Sequence, residues 1–256
     1  MAWRDSAAGL VRRALAARGL ELRRAGQGPR RTLAEVLAAA GRAGLQAASV
    51  IDVGVARGTP GLYDVWPEAR LLLVEPVAEW EPQLRALTTG RGRCVIAAAG
   101  REPGTTEIRV HRVPELSSVV GERDEGLTVA RTVPVVRLDD EARDLDGPIV
   151  IKVDVEGGEL DVLAGARATL ERTELVALET SLFELVPGQP LLHDVVAFMA
   201  DAGFVPYDVF GGHLRPLDGA LAQLDVTFAR RDGPLRAEQR YATPAQADAL
   251  YRSWGR

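Results

Sequence analysis

Residues 149–166 read IVIKVDVEGGELDVLAGA, and the fold is decided there. The run is apolar through 149–153 with no polar alternation, apart from Lys152. Strands of that kind are typical of a parallel sheet covered on both faces. The run then meets two acids, Asp154 and Glu156, and a glycine pair, and passes directly into an amphipathic helix over 159–170. A buried strand normally avoids charge. Three ionisable groups at the mouth of one (Lys152, Asp154 and Glu156) point to ligand binding or chemistry.

The same texture extends in both directions. Apolar runs at 49–54, 70–75, 94–98 and 174–179 read as further strands, and 79–87 reads as a helix between two of them. Strands alternating with helices predict a doubly wound α/β architecture, a Rossmann-like sheet. The first 48 residues read as helical: Thr32-Leu-Ala-Glu35 has capping-box form, and Gly26-Gln-Gly-Pro29 separates an earlier helix from this one. The stretch 105–137 departs from the rhythm, with strands expected at 105–110 and 131–136 around a polar connection. It suits either a lid or substrate wall, or plain connection. Beyond the fifth strand, a helix is expected at 191–202, strands at 204–210 and 224–229, and a terminal helix at 243–254 with Pro244 in its first turn. The expected division is an N-terminal helical extension (1–48), a main α/β domain (49–231) with an insertion at about 105–137, and a C-terminal tail with a helix (232–256).

Apolar residues make up 46% of the 256, charged residues 26%, and the formal net charge is -5. That composition is ordinary for a globular protein and offers no electrostatic invitation to nucleic acid or an anionic membrane. The arginines at 12, 13, 18, 23, 24, 30 and 31 read as a solvated helix face. The single cysteine, Cys94, excludes an internal disulfide and reads as a small strand hydrophobe. No apolar run reaches the roughly 18 residues of a membrane span, and the start of the chain lacks a signal-peptide core. A cytoplasmic location is expected.

Residues 52–58, DVGVARG, turn a strand through glycines toward a helix, so that a ligand can approach the backbone. Glu75 ends the next strand about twenty residues on, where an acid in a nucleotide-binding unit accepts hydrogen bonds from ribose hydroxyls. An NAD site wants Gly-x-Gly-x-x-Gly, so that a pyrophosphate can rest on the helix N-terminus. Ala56 stands in place of the second glycine, and Asp52 would repel a pyrophosphate. The following helix is also cut short by Trp66-Pro67. S-adenosylmethionine, with a sulfonium, an amino group and a ribose diol, matches this arrangement better. A nucleotide-dependent oxidoreductase and a non-catalytic cofactor-binding scaffold are the rival readings.

Asp52-Val-Gly-Val-Ala-Arg-Gly58, Val74-Glu-Pro76, Leu138-Asp139, residues 151–159 (IKVDVEGGE) and Leu163-Ala-Gly-Ala166 together resemble the FkbM family of S-adenosylmethionine-dependent methyltransferases. The resemblance spans about 49–201. It implies the class I methyltransferase type of fold, a seven-stranded sheet with one antiparallel strand in its last pair. It also implies O-methylation of a hydroxyl on a sugar, glycolipid or macrolide-type product. Carried over, Asp52, Gly54 and Gly58 line the methionine part of the cofactor, Glu75 holds the ribose, and Ala98 in the 97–100 turn faces the adenine. Residues 59–63 (TPGLY) depart from the usual pattern after the glycine turn.

An alcohol is a poor nucleophile at neutral pH, so the reaction wants a base or a metal-bound alkoxide. The candidates are Asp154, Glu156, Lys152, Glu179 and His193. Clustered carboxylates raise one another's pKa, which can produce a base that works near neutrality. The same groups, Asp154, Glu156 and Glu179, have the chemistry to hold Mg²⁺. Each candidate also has a plain role open to it. Lys152 can pair with Asp154 or Glu179, Glu159 can cap the following helix, and His193 can sit exposed at a helix start. Ser117 and Ser118 in the insertion are further candidates to hydrogen-bond cofactor or substrate. Asp154 ranks first for chemistry, with Lys152 and Glu156 as its supports. The expected partner is a sugar-containing small molecule. The N-terminal helices and the terminal helix, with Tyr251 and Trp254, offer a surface for a homodimer.

Overall fold

The computed structural model describes residues 11, 13–15, 17–18, 29–111, 128–185 and 187–254. Ser117, Ser118, the earliest N-terminal segment and the side chain of Trp254 lie outside them. The strands are Ser49–Val53 (β1), Arg70–Val74 (β2), Gly92–Val95 (β3), Ala98–Ala99 (β4), Gly104–His111 (β5), Thr128–Val136 (β6), Ile149–Val153 (β7), Thr173–Ser181 (β8), Phe204–Leu214 (β9) and Leu221–Arg230 (β10). Seven of them form the central sheet in the order β3-β2-β1-β7-β8-β10-β9. All neighbours in it are parallel except β10, which is antiparallel to both β8 and β9. This is a Rossmann-like doubly wound sheet of seven strands, with the chain order reversing between β1 and β7.

The apolar runs explain the sheet's two covers. Side chains at i and i+2 share a face of a strand. Ile51, Val53, Leu72, Val74, Ile151 and Val153 therefore join one core with Val162, Leu163, Met199 and Phe204. Val50, Leu71, Leu73 and Val150 join the other with Leu37, Leu62, Tyr63 and Trp66. Asp52 and Lys152 are partners in register on β1 and β7. By the same alternation they follow Val50 and Val150 onto the second face, beneath Tyr63.

Several elements differ from the sequence reading for local reasons. The third strand ends at Val95, and β4 joins a separate three-stranded sheet with β5 and β6. Ala98 therefore pairs with Val135 instead of standing in an open turn. The helix expected over 159–170 is split into Glu159–Ala164 and Arg167–Leu170. Gly165 sits between them, and a Cβ there would lie 2.1 Å from the Gly100 carbonyl oxygen. Asp139 caps the second piece, its carboxylate accepting from the Ala168 and Thr169 amides at 3.1 and 2.8 Å. The β9–β10 hairpin runs longer than expected because Gly211 and Gly212 take left-handed conformations (φ 61 and 116) where the register slips. Such bulges bend a strand without ending it.

The helix Leu33–Arg42 begins as expected, with Thr32 Oγ1 accepting from the Glu35 amide at 3.3 Å. The Glu35 carboxylate, however, accepts from the Arg31 amide, one residue before the Thr32 amide that a strict capping box would use. Among the described residues no helix is long and apolar enough to cross a membrane.

The tightest backbone approach is at the end of β1. Gly54 has φ 74, and a Cβ on it would lie 1.7 Å from the Asp154 carbonyl oxygen. Gly219 has the same φ with open space around it. Gly54→Ala is therefore expected to lose stability well beyond the roughly 1 kcal/mol of left-handed strain at Gly219→Ala. Urea denaturation of the two variants measures this, and equal losses would contradict the close approach of β1 and β7.

Candidate active site

The first strand's exit is a run of left-handed residues: Gly54 (φ 74), Ala56 (φ 46) and Gly58 (φ 106). Ala56 thus takes the conformation a glycine would take there, despite the cost to an L side chain, of order 1 kcal/mol. The turn directs the Ala56 amide at Glu75 Oε2, at 2.8 Å, and Oε1 accepts from the Val77 amide at 2.9 Å. Glu75 is only 4% exposed. Burial raises its pKa, and the amide hydrogen bonds oppose that rise. A carboxylate has about four lone-pair sites. The Val55 amide also acts on the carboxylate, and the acceptor capacity left beyond these amides suits a hydroxyl donor such as a ribose hydroxyl. The glycines have packing roles as well: Gly54 admits the Asp154 backbone, and a Cβ on Gly58 would strike Leu87 at 2.8 Å.

Asp52 is fully buried, and its carboxylate is already engaged. One oxygen accepts from the Tyr63 hydroxyl. The other faces the Lys152 ammonium at 3.5 Å and makes no hydrogen bond of ordinary geometry. Lys152 Nζ also stands 3.2 Å from Asp154 Oδ2 and 3.2 Å from the Gly54 carbonyl oxygen. Burial works against its charge, but attraction to Asp52 and Asp154 prevails and lifts its pKa above that of an ordinary lysine. Lys152 is therefore a fixed cation at neutral pH and has no capacity as a base. Burial also pushes the Tyr63 hydroxyl's pKa up, with the Asp52 charge adding to the effect, so Tyr63 remains a donor.

Beyond Lys152 the mouth is acidic. The chain turns through Glu156 (φ 54) and Gly157 (φ 103), a second left-handed pair facing the first turn. Asp154, Glu156 and Glu179 each offer a carboxylate oxygen, all within 4.8 Å of one another. Loss of hydration, then repulsion from Asp154, Asp225 and Glu159, pushes Glu179 up to about 7. Loss of hydration, then repulsion from Glu179, Asp154 and Glu159, pushes Glu156 up to about 8. Glu156 lies open at the mouth, so water weakens the first effect and the crowd of acids is what retains the proton.

The structure thus brings Lys152, Asp154, Glu156, Glu179 and Asp52 together, with Glu75 on the neighbouring strand. His193 stands apart from this group, 77% exposed and paired with Asp194. Glu159 is a buried helix-terminal acid that accepts from the Gly157 amide at 2.9 Å. Cys94 is half-buried against the second core.

Three residues of the site were missed in the sequence. Tyr63 reaches it only through tertiary packing. Asp225 stands opposite Glu179 on the antiparallel strand, and burial followed by repulsion from Asp154 raises it to about 6. Gln223, from the same strand, donates to Glu179 Oε2 at 3.1 Å. An acid inside the apolar run 224–229 was the available signal for Asp225, the same signal that marked Asp154.

The sequence profile of the Methyltransferase FkbM domain matches residues 52–206. No curated protein sequence matches the chain. Among solved structures, a methyltransferase FkbM from Methylobacillus flagellatus is similar at 22% identity with a TM-score of 0.43. The match covers 70% of this chain and 43% of that one, so the chain spans less than half of that relative's length. The magnesium protoporphyrin IX methyltransferase of Synechocystis, solved with S-adenosylmethionine bound, is similar at 13% identity with a TM-score of 0.43, covering 77% of this chain and 76% of that one. The profile takes in the glycine turn, Glu75 and the whole acidic strand end, and the chain belongs to the FkbM methyltransferase family.

Proposed function

We propose that this chain is an S-adenosylmethionine-dependent O-methyltransferase acting on a hydroxyl of a sugar or sugar-bearing small molecule. The observation that carries the reading is the meeting of two unlike half-sites at the carboxyl ends of β1, β2 and β7. On one side stand the left-handed glycine turn and Glu75, held by backbone amides with acceptor capacity left over. On the other stand Lys152, Asp154, Glu156 and Glu179. Ligands of open α/β sheets gather at such strand ends, where the chain order reverses. The sugar acceptor rests on the family resemblance. The domain proposed for this work is 49–231, with the helical extension and the tail as appendages.

Bound in this cleft, the cofactor supplies an electrophilic methyl on a sulfonium. The protein's own contribution is alignment first and proton management second. Asp154 Oδ2, fixed by Lys152 Nζ, accepts the hydrogen bond of the incoming hydroxyl and orients its oxygen. The proton passes on to the neighbouring carboxylates of Glu179 and Glu156, whose oxygens lie within 4.8 Å of one another and of an Asp154 oxygen. Loss of hydration and then like-charge crowding push Glu179 up to about 7 and Glu156 up to about 8, close to neutrality, where a general base is most effective.

A second use of the same carboxylates is favoured by their spacing. Asp154, Glu156 and Glu179, with oxygens within 4.8 Å of one another, would hold a hard divalent cation such as Mg²⁺, which would supply Lewis acidity toward a hydroxyl there. The oxidoreductase reading loses its ground with the family assignment. Ala56 itself discriminates less than its side chain suggests, since the backbone there is left-handed as for glycine.

Calorimetric titration is expected to show binding of S-adenosylhomocysteine and none of NAD, with the S-adenosylhomocysteine heat abolished in Glu75→Ala. NAD binding alone would end the reading. With a panel of hydroxylated glycosides as acceptors, Asp154→Asn is expected to lower S-adenosylhomocysteine release by at least about 100-fold, the scale of general-base loss, while keeping its melting temperature. Full activity in that variant removes Asp154 from the mechanism. The pH dependence has a definite sign. Protons held by Glu179 (about 7) and Glu156 (about 8) block proton transfer at low pH, so the rate should rise across that window and level off above it. A rate that falls from pH 6 to 8 would contradict this. Chelator treatment separates the two uses of the carboxylates, since unchanged activity eliminates the divalent cation.

A further inference from the structure

The chain has 31 basic residues, and 30 of them are arginine; Lys152 is its only lysine. Its surroundings explain why arginine does not serve there. Three acceptors converge on one point: Asp52 Oδ1 at 3.5 Å, Asp154 Oδ2 at 3.2 Å and the Gly54 carbonyl at 3.2 Å. An ammonium is a compact charge with three hydrogens, whereas a guanidinium is a planar fork that needs length and a flat partner.

The acceptor that places this ammonium is itself held from behind. Asp52 is fully buried, and the Tyr63 hydroxyl occupies its second oxygen. We propose that Tyr63 is a positioning residue of the methyl-transfer site, its hydroxyl fixing Asp52 so that the Lys152 ammonium stands between Asp52 and Asp154 and joins the end of β1 to the end of β7. The inference rests on the methyl-transfer reading for the word "site", but the contacts themselves do not depend on it.

The consequence follows from burial. Without the hydroxyl, one oxygen of a fully buried carboxylate loses its donor, and a buried anion without a donor is costly. The carboxylate then turns its unsatisfied oxygen toward the nearest cation, which is Lys152, and draws the ammonium away from Asp154. Tyr63 closes the short helix Pro60–Tyr63 directly after the glycine turn. One local segment therefore shapes the cofactor side and, through two side chains, sets the acceptor side.

A single lysine makes the test direct. Full-length protein carrying ¹⁵N at the lysine side chain yields one ammonium signal by NMR, and a held, nearly buried ammonium exchanges slowly with water. Tyr63→Phe keeps the ring packing and removes only the hydroxyl. It is expected to move the signal and speed its exchange about tenfold or more, the scale of one lost hydrogen bond to a charged group. Asp52→Asn, which keeps an acceptor for Tyr63 but removes the charge, is expected to move the signal as well. An unchanged chemical shift and exchange rate in either folded variant overturns the proposal, because a tyrosine that only packs would leave the ammonium where it is. Titration of the wild-type protein with S-adenosylhomocysteine tests the underlying reading separately. Absence of binding there ends the methyl-transfer function, while the NMR result still decides whether Tyr63 places Lys152.

Discussion

One ammonium makes the acidic mouth of this protein tolerable. Lys152 sits where two buried strands end side by side, and it offsets charge from both Asp52 and Asp154. A buried carboxylate without a cation or donors would be neutral or strongly destabilising. With Lys152 in place Asp52 remains in the interior, and the less compensated acids, Glu156, Glu179 and Asp225, gather at the opening toward solvent. The site is therefore graded. Fixed charge lies at the bottom, and labile protons lie at the top.

That gradation depends on backbone detail. Gly54 lets the Asp154 carbonyl approach closer than any side chain would permit, so Lys152 can reach both strand ends at once. The left-handed turn through Ala56 points an amide at Glu75, and the second turn through Glu156 and Gly157 lifts an acid over the mouth. Strained residues of this kind persist where surrounding structure holds them, and they cluster at working sites.

The sheet was legible in the sequence because its central strands are apolar on both faces, and a short run of that kind, bounded by glycine and charge, suits a covered parallel strand. Lys152, Asp154 and Glu156 were legible for the converse reason, as charge at the end of such a strand. Ala98 misled because three consecutive alanines carry no information about which sheet they join, and the insertion's β6 captured it. The helix after 159 was read as continuous because its apolar spacing ignores Gly165, whose place is set by contact with Gly100. Asp52 was read as facing a ligand. Only the packing of Tyr63 above it shows the carboxylate already engaged, and no local pattern records a partner eleven residues away across a turn. Asp225 lies on the antiparallel strand, and its register with Glu179 comes from the long-range pairing of β10 with β8, which no local pattern records.

Cofactor and acceptor are proposed to meet in one cleft built from two half-sites. A crystal structure with S-adenosylhomocysteine tests this most directly. Its ribose hydroxyls are expected on the Glu75 carboxylate and its sulfur above the Gly54 turn, within reach of a methyl acceptor held at Asp154. Density for the ribose at any other strand end, or a sulfur shielded from Asp154, would contradict it.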